Sequence, residues 1–200
     1  MRWLLERVVV GKVKVKYPSL IMPVCLVGAN VGGKPNFAAI AWFTFLESQP
    51  IVVGFASDKG HYTNRGICEN KAFSLNIPSV SMAMVTDFCG LYSGSEVDKS
   101  GVFDVFYGEL EKAPMIRECC VNMECKHVKT VEFMRNEFVV GEVVGVYAND
   151  ECLSDGKVDL AKANPLLYEG GAVPYYWRLG QRVGRAFEIG KNYKPKLRQK

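Results

Sequence analysis

The sequence predicts a mainly β protein, an antiparallel β-barrel that carries a few short helices. Three observations lead to this fold class: many short β-prone segments, polar or Gly/Pro turns between them, and helical spacing in only two short stretches. The 200 residues are 48% hydrophobic and 23% charged, which is ordinary for a globular protein with an ample core. We therefore predict a single domain over residues 1–200.

The first elements of the chain read as strands. Residues 5–16 end in an alternation of apolar and cationic side chains, which predicts a strand with one solvated face. Its lysines would protect an edge of the sheet from pairing with another chain. A short apolar run follows at residues 22–30. The central pair comprises residues 37–46 and 51–56, separated by Pro50. The glycines near residue 30 lack the spacing of a dinucleotide-binding fingerprint, so a Rossmann domain is not predicted.

Two helices and a long loop are predicted next. Residues 63–70 offer a helix N-cap and a short helix, and residues 73–77 form a further strand that Pro78 ends. Apolar positions recur at helical spacing between residues 79 and 91. The polar residues 92–101 exceed the length of a simple turn, and we predict that they form a specific loop.

The second half of the chain is again predicted to be β-structure. Residues 121–131 alternate in hydrophobicity, and residues 137–147 are rich in β-branched side chains. Residues 149–164 read as loop and short turns. Aromatic, glycine-interrupted stretches at 166–171 and 175–180 suit a surface that closes over a ligand or a partner chain.

Residues 36–64 are the stretch that points to a function. Two apolar strands end in a turn, residues 57–64, that is crowded with hydroxyls, a cation and an imidazole. An apolar wall beside a cluster of donors is what a flat, phosphorylated cofactor requires. The alternative is that the stretch forms two core strands and an ordinary polar loop.

Composition and charge argue against a membrane protein, an exported protein, a nucleic-acid-binding protein and a metal site. No apolar run reaches the roughly 18 residues of a membrane span, and the first ten residues lack the layout of a signal peptide. We therefore expect a cytoplasmic protein with no membrane partner. The net charge of +4 is concentrated at the two ends of the chain, and no nucleic-acid-binding fingerprint accompanies it, so no nucleic acid is expected. The seven cysteines contain no CxxC pair; we expect reduced, packed thiols and no metal site.

The order of motifs along the chain resembles the flavin reductase-like, FMN-binding split-barrel family, and within it the flavoredoxin-type proteins. The likeness extends from about Tyr17 to Gly190. It is carried by Met22-Pro23-Val24, Gly33 to Trp42, Ser48-Gln49-Pro50, His61-Tyr62-Thr63, Phe73 to Pro78, Ser93 to Lys99, Glu118 to Cys125 and Val140 to Val143. A pyridoxamine-phosphate oxidase-like enzyme has a related barrel, but the arginine-rich phosphate pattern of that branch is absent.

The resemblance implies a homodimeric, Greek-key split barrel of six strands that holds FMN non-covalently near the dimer interface. It also implies an oxidoreductase that passes electrons from NADH, NADPH or a redox protein to flavin, ferric iron or a protein acceptor. The alternative is a non-enzymatic FMN electron carrier or flavin-storage protein. Because the flavin itself is the redox group, no catalytic acid or base is assigned.

The predicted cofactor-binding residues combine the resemblance with side-chain chemistry. They are Asn36, Ala41, Trp42, Phe43, Thr44, Ser57, Lys59, His61, Thr63, Asn64, Lys99 and Tyr168. The first five would contact the ring system, through the Asn36 amide, the Trp42 and Phe43 rings and backbone N–H groups. Ser57, Lys59, Thr63 and Asn64 would hold the phosphate, with Thr63 at a helix N-terminus. Lys99 would supply a further cation to the phosphate or to the flavin.

Three assignments stay open at this point. His61 contacts the phosphate or caps its turn, and Tyr168, with the aromatic residues 175–177, covers the flavin or packs in the dimer interface. Many relatives carry a histidine just before the strand at 139–143, where this chain has Arg135-Asn136-Glu137-Phe138. This chain therefore has no histidine at that position to fill the same role, unless Arg135 or Asn136 replaces it.

Overall fold

The computed structural model describes residues 11–194. Its strands are β1 (Leu20–Pro23), β2 (Cys25–Val31), β3 (Lys34–Ile40), β4 (Phe43–Ser48), β5 (Ile51–Asp58), β6 (Ala72–Ile77), β7 (Val105–Phe106), β8 (Met115–Ile116), β9 (Val121–Glu132), β10 (Asn136–Ala148), β11 (Leu153–Ser154), β12 (Lys157–Val158), β13 (Leu167–Gly170) and β14 (Tyr175–Trp177). The helices are α1 (Tyr62–Asn70), α2 (Ala83–Leu91) and α3 (Leu160–Ala163), with 3₁₀ turns at Val80–Met82, Asp150–Cys152 and Ile189–Asn192.

One large antiparallel sheet dominates the fold. Its strand order is β3-β2-β6-β9-β10-β5-β4, and every neighbouring pair is antiparallel. The two edge strands, β3 and β4, follow one another in the chain and are separated only by Ala41 and Trp42. The sheet thus curls so that its edges meet at this two-residue connection, which is the arrangement of a barrel split between β3 and β4.

The structure confirms the predicted fold class and refines one element of it. The apolar run at 37–46 was expected to form a single strand, but it is divided at Ala41–Trp42 into β3 and the following β4. If β3 and β4 are counted as one bent strand, the sheet has the six strands that the resemblance implied. Of the strand predicted at 5–16, residues 5–10 lie outside the described part, and residues 13–16 are irregular.

Two apolar clusters fill the space inside and beside the sheet. The larger one joins side chains of β2, β5, β6, β9 and β10, with Phe55 and Phe73 packed edge to face at 5.4 Å. The second cluster packs α2 and the loop after it against Phe37 and Leu26. Because α2 is fixed by this second cluster, its carboxyl end is held next to β3, where the candidate site lies.

Helix α1 lies directly against β2. At Gly66 an added Cβ would overlap the Asn30 carbonyl oxygen and approach the Val31 side chain to 2.8 Å, so only glycine permits this approach. Helix α1 has its left-handed C-cap at Lys71. The close packing fixes the position of the amino end of α1, which opens into the candidate site.

The cysteines depart from the expectation of reduced thiols. Cys120 and Cys152 form a disulfide with a Cα–Cα distance of 6.1 Å, because the turn before β11 folds back onto the start of β9. The other cysteines are free: Cys25, Cys89, Cys119 and Cys125 are buried and Cys68 is exposed. The expected packing role therefore holds for the four buried thiols, but not for the Cys120–Cys152 pair.

The carboxyl-terminal segment after β13 lies on the surface of the molecule, with β14 paired antiparallel to β13. Every residue from 171 to 191 is exposed, including apolar side chains such as Val183 and Phe187, which are 94% and 98% exposed. Within residues 11–194, no helix has the length and apolar character needed to cross a bilayer.

Candidate cofactor site

Two adjoining cavities open at the end of the sheet where β3, α1 and α2 meet. The smaller has a volume of about 170 Å³ and lies between β3, the start of α1 and the loop that follows α2. The larger is a cleft of about 850 Å³ that extends from there toward β1, β13 and β14. Both are lined by Ala39, His61, Gly90 and Leu91, so a single ligand can occupy the two together.

The smaller cavity has the character of an anion site. The amino end of α1 contributes Tyr62 and Thr63 to its lining. The N-cap residue, His61, makes no side-chain capping bond, and the first turn contains no acidic residue. The Asn64 N–H donates to the His61 carbonyl oxygen at 3.1 Å, whereas the N–H groups of Tyr62 and Thr63 have no backbone acceptor among the described residues. The partial positive charge of this helix end and these two N–H groups are therefore available to an anion.

The Thr63 hydroxyl is prepared to donate a hydrogen bond into this cavity. Its oxygen accepts a 2.7 Å bond from the Asn36 side-chain nitrogen, and both residues are buried. Among residues 11–194 the Thr63 O–H itself donates to no acceptor. A hydroxyl with one accepted bond and a free proton at the rim of a cavity is suited to a phosphate oxygen.

Lys99 supplies the positive charge of the cavity. The residue is 3% exposed, and its Nζ donates to the carbonyl oxygens of Phe37 at 3.0 Å and Cys89 at 2.9 Å. Of the described residues that line the cavity, Lys99 is the only lysine or arginine. Burial lowers the pKa of Lys99. An ammonium group with three N–H bonds thus has one left for a ligand.

Gly94 closes the cavity from the loop after α2. A Cβ at this position would overlap the Asn36 Oδ1 atom and lie 2.9 Å from the Tyr62 ring. Only glycine therefore allows the loop backbone to approach β3 and α1 this closely.

The larger cleft has apolar walls. Trp42, Leu91, Met22 and Tyr168 contribute to its lining, and the Tyr168 and Tyr176 rings pack edge to face at 6.0 Å. Trp42 is 56% exposed, so its ring is available for contact. A further hollow of about 260 Å³ is lined by Ala41, Trp42, Phe43 and Thr44, among others, behind the β3–β4 connection.

Ser57, His61 and Asn64 form a buried network beneath the cavities. The Ser57 hydroxyl lies 2.9 Å from His61 Nδ1 and donates to Asn64 Oδ1 at 2.8 Å. The Asn64 amide in turn donates to the Asp58 carbonyl oxygen. Burial lowers the pKa of His61, so the imidazole is neutral at pH 7. This network fixes the turn that leads into α1, and of its three members only His61 lines a cavity.

Lys59 is directed elsewhere. Its Nζ lies 2.8 Å from the Glu132 carboxylate, and it is absent from the lining of both cavities. The structure therefore brings Asn36, His61, Thr63 and Lys99 together at the smaller cavity, and Ala41, Trp42 and Tyr168 at the cleft. Phe43 and Thr44 line the hollow behind it.

Several lining residues received no role from the sequence. Ser93 and Gly94 were recognised only as part of a motif, although a glycine between two serines after a helix is a signal for close backbone approach. Asp87, on α2, also received no role and lines the cleft. Of the two residues named as possible replacements for the family histidine, Asn136 lines the cleft, whereas Arg135 does not and pairs with Asp58. Asp87 is the only charged residue of α2, which in an otherwise apolar helix was a usable signal.

Comparison with known proteins finds related sequences and structures. The sequence model of the flavin reductase like domain matches residues 17–176. The flavoredoxin from Methanosarcina acetivorans is 45% identical and superposes with a TM-score of 0.87, covering 91% of this chain and 98% of its own. The flavoredoxin of Desulfovibrio vulgaris (Miyazaki F) is 29% identical, with a TM-score of 0.80 over 96% of this chain and 100% of that chain.

A more distant structure shares the fold alone. The FMN-binding protein from Thermus thermophilus, solved with bound 1-cyclohex-2-enone, is 23% identical with a TM-score of 0.74. The superposition covers 92% of this chain and 99% of that one.

Proposed function

The chain belongs to the flavin reductase-like family, as its sequence resemblance implied, and we propose that it is an FMN-dependent oxidoreductase. It would pass electrons from NADH, NADPH or a redox protein to flavin, ferric iron or a protein acceptor. The observation that carries the proposal is the pairing of a small donor-lined cavity with a wide apolar cleft.

The residues present fit FMN. A phosphate would occupy the smaller cavity, where the Thr63 O–H, one N–H of Lys99 and the backbone N–H groups of Tyr62 and Thr63 lack partners among the described residues. The ring system would lie in the cleft against apolar side chains such as Trp42. Bound FMN would supply an isoalloxazine that accepts and returns electrons.

The chain's own contribution is to bind and orient the cofactor. Lys99 and Thr63 hold the phosphate end, and Asn36 keeps the Thr63 hydroxyl oriented by donating to its oxygen. The neutral His61 adds no second positive charge beside Lys99, whose own charge lowers the pKa of His61 further. The apolar cleft walls exclude water from the faces of the ring.

Comparison of FMN with riboflavin tests the phosphate assignment. We expect FMN-free protein to bind FMN about 100-fold more tightly than riboflavin, because hydrogen bonds to charged groups contribute roughly 1.5–3 kcal/mol each. The measurement is a calorimetric titration with each compound. Equal affinities would contradict the assignment of the phosphate to the smaller cavity. If neither compound binds, the proposal that the protein is a flavoprotein is wrong.

The electron donor is tested on the loaded protein. NADH and NADPH are added separately under anaerobic conditions, and the flavin bands between 300 and 550 nm are recorded. Loss of the bands with either nucleotide supports a reductase. Persistent bands that bleach only with dithionite support the carrier or storage protein instead.

We also propose that the protein is a homodimer. Residues 171–191 are all exposed, with apolar side chains that have no core to enter in one chain, among them Trp177, Val183 and Phe187. Strand β4 likewise presents Phe45 and Leu46, which are 63% and 47% exposed. The exposed apolar side chains of residues 171–191 and of β4 together favour burial against a second copy of the chain.

Light scattering after size-exclusion chromatography tests the dimer. We expect the mass of two 22.3 kDa chains. Truncation after residue 172 should shift the mass toward one chain, because it removes the exposed segment. A full-length protein that elutes as a monomer at all concentrations would contradict the proposal.

The cytoplasmic location stays a prediction.

A further inference from the structure

The described residues that line the wide cleft include carboxylates but no lysine or arginine. Asp58 and Asp87 provide the carboxylates that line it. His61 also lines it, and burial lowers the pKa of this imidazole. At neutral pH the electrostatic character of the cleft therefore depends on whether each carboxylate is compensated from outside.

The negative charge of Asp58 is compensated by Arg135. Its Oδ2 atom accepts a 2.8 Å bond from Arg135 Nε, and its Oδ1 atom accepts the Gly60 N–H at 2.9 Å. The bonds from Gly60 and Arg135 lower the pKa of Asp58. The charge of this carboxylate is thus offset by a guanidinium, and it adds little to the field in the cleft.

Asp87 has no such partner. Its Oδ1 atom accepts a 3.0 Å bond from the Tyr176 hydroxyl, and no lysine or arginine nitrogen of the described residues lies within 4 Å of its carboxylate. Burial, with the bond to Asp87, raises the pKa of Tyr176, so the phenol stays neutral. The single O–H of Tyr176 is used by Asp87, which leaves oxygen lone pairs as acceptors.

We propose that the part of a reaction partner that enters the cleft is a planar ring that is uncharged or cationic, and that a ring with an anionic group is disfavoured, with Asp87 as the residue that determines this selectivity. Tyr176 acts as a positioning residue that holds the carboxylate in place. The inference rests on the proposed function, because this ring would belong to the reaction partner of the cofactor. It deepens that function by naming the chemical class of the ring.

The dimensions of the cleft support a second molecule beside a ring system. Its volume of about 850 Å³ is near the upper end of the roughly 300–1,000 Å³ typical of ligand sites. The walls combine apolar side chains such as Leu91 and Tyr168 with the acceptors on Asp87 and Tyr176. Apolar walls favour a planar ring, and acceptors backed by a negative charge favour a donor or a cation on that ring.

The test uses three single-ring probes that differ in charge: phenyltrimethylammonium, benzamide and benzenesulfonate. Each is titrated calorimetrically into the full-length protein, once loaded with FMN and once free of it, at low ionic strength. In the loaded protein we expect the cation and the amide to bind at least about fivefold more tightly than the sulfonate. Raising the salt to about 0.5 M should compress the cation-to-sulfonate ratio, since screening weakens the field.

Variants assign the preference to Asp87. Asp87→Asn should reduce the cation-to-sulfonate ratio to within about twofold at low salt. Asp155→Asn is the matched control, because Asp155 is exposed and does not line the cleft; its ratio should equal that of the unaltered protein. Tyr176→Phe keeps the ring and the carboxylate, and should retain the preference for the cation with weaker binding of the amide.

The possible outcomes separate the charge preference of the cleft, the role of Asp87 and the proposed function. Equal affinities for the three probes, or a salt-independent ratio, would overturn the inference even if Asp87→Asn failed to fold. A preference unchanged in a folded Asp87→Asn variant would remove Asp87 as its source. A protein that binds no FMN but ranks the probes as expected would refute the proposed function while supporting the charge preference of the cleft.

Discussion

Lys99→Met should weaken FMN binding by about 100-fold, because a charge-assisted hydrogen bond and the only lysine or arginine among the described residues of the smaller cavity are lost together. Methionine is close to lysine in length and fills the same buried volume, so the loss reports the ammonium group, with its charge and its hydrogen bonds, and not a cavity. Riboflavin, which lacks the phosphate, should bind the variant and the unaltered protein with similar affinity. The measurement is the dissociation constant of each flavin, determined well below the melting temperature.

Lys59→Met is the matched control for this substitution. Lys59 was predicted from the sequence to hold the phosphate, but its ammonium pairs with Glu132 on the surface and lines neither cavity. We expect its FMN affinity to remain within about twofold, since exposed pairs contribute roughly 0–1 kcal/mol even to stability. An effect of Lys59→Met as large as that of Lys99→Met would contradict the assignment of the cavity.

The charge of Lys99 also gives the FMN affinity a pH dependence. Burial lowers the pKa of Lys99 from its ordinary value of 10.5. The ammonium is present below the lowered pKa and is lost above it. FMN affinity should therefore hold at neutral pH and fall in the alkaline range at a pH below 10.5, and this decline should be absent from Lys99→Met.

Gly94→Ala should weaken FMN binding by about 10- to 100-fold, because overpacking of this kind typically costs about 1–3 kcal/mol. The new methyl group would overlap the Asn36 amide oxygen. Asn36 can move away only by giving up its bond to the Thr63 oxygen, so the donor set for the phosphate is disrupted. The measurement is the FMN dissociation constant, together with circular dichroism to verify the fold.

Gly101→Ala controls for the replacement of a glycine in the neighbouring loop. A Cβ at Gly101 meets no atom within 4 Å, so its FMN affinity should be unchanged. If Gly94→Ala binds FMN normally, the loop is not a fixed wall of the cavity. If both variants lose affinity equally, the effect comes from loop flexibility and not from the contact with Asn36.

The sequence identified the region of the site better than its individual contacts. Asn36, Thr63 and Lys99 were predicted from motifs, and the structure brings them to one cavity. That the Asn36 amide donates to Thr63 is a contact between residues 27 positions apart, and no local pattern contains it. The choice between Lys59 and Lys99 likewise depended on long-range partners, Glu132 for one and the Phe37 carbonyl for the other.

Other features were missed because their cause is tertiary. The break at Ala41–Trp42 lies in a continuous apolar run with no glycine or proline to mark it; closure of the sheet determines it. The bond between Tyr176 and Asp87 joins residues 89 positions apart. The longer strands of the large sheet and the two longer helices followed from alternation and helical spacing, which are local signals. The two-residue strands β7, β8, β11 and β12 and the short helix α3 were not predicted.

The two carbonyl bonds of Lys99 have a consequence for how this protein can change. One ammonium group links β3, through Phe37, to the end of α2, through Cys89, and the same group faces the anion cavity. A substitution that alters cofactor choice at this position therefore also leaves buried carbonyl groups without a donor, at a cost of roughly 1–3 kcal/mol each in the free energy of unfolding. A change of charge at this position would therefore have to be preceded by stabilising substitutions elsewhere in the chain, so the link between β3 and α2 limits how the cavity can evolve.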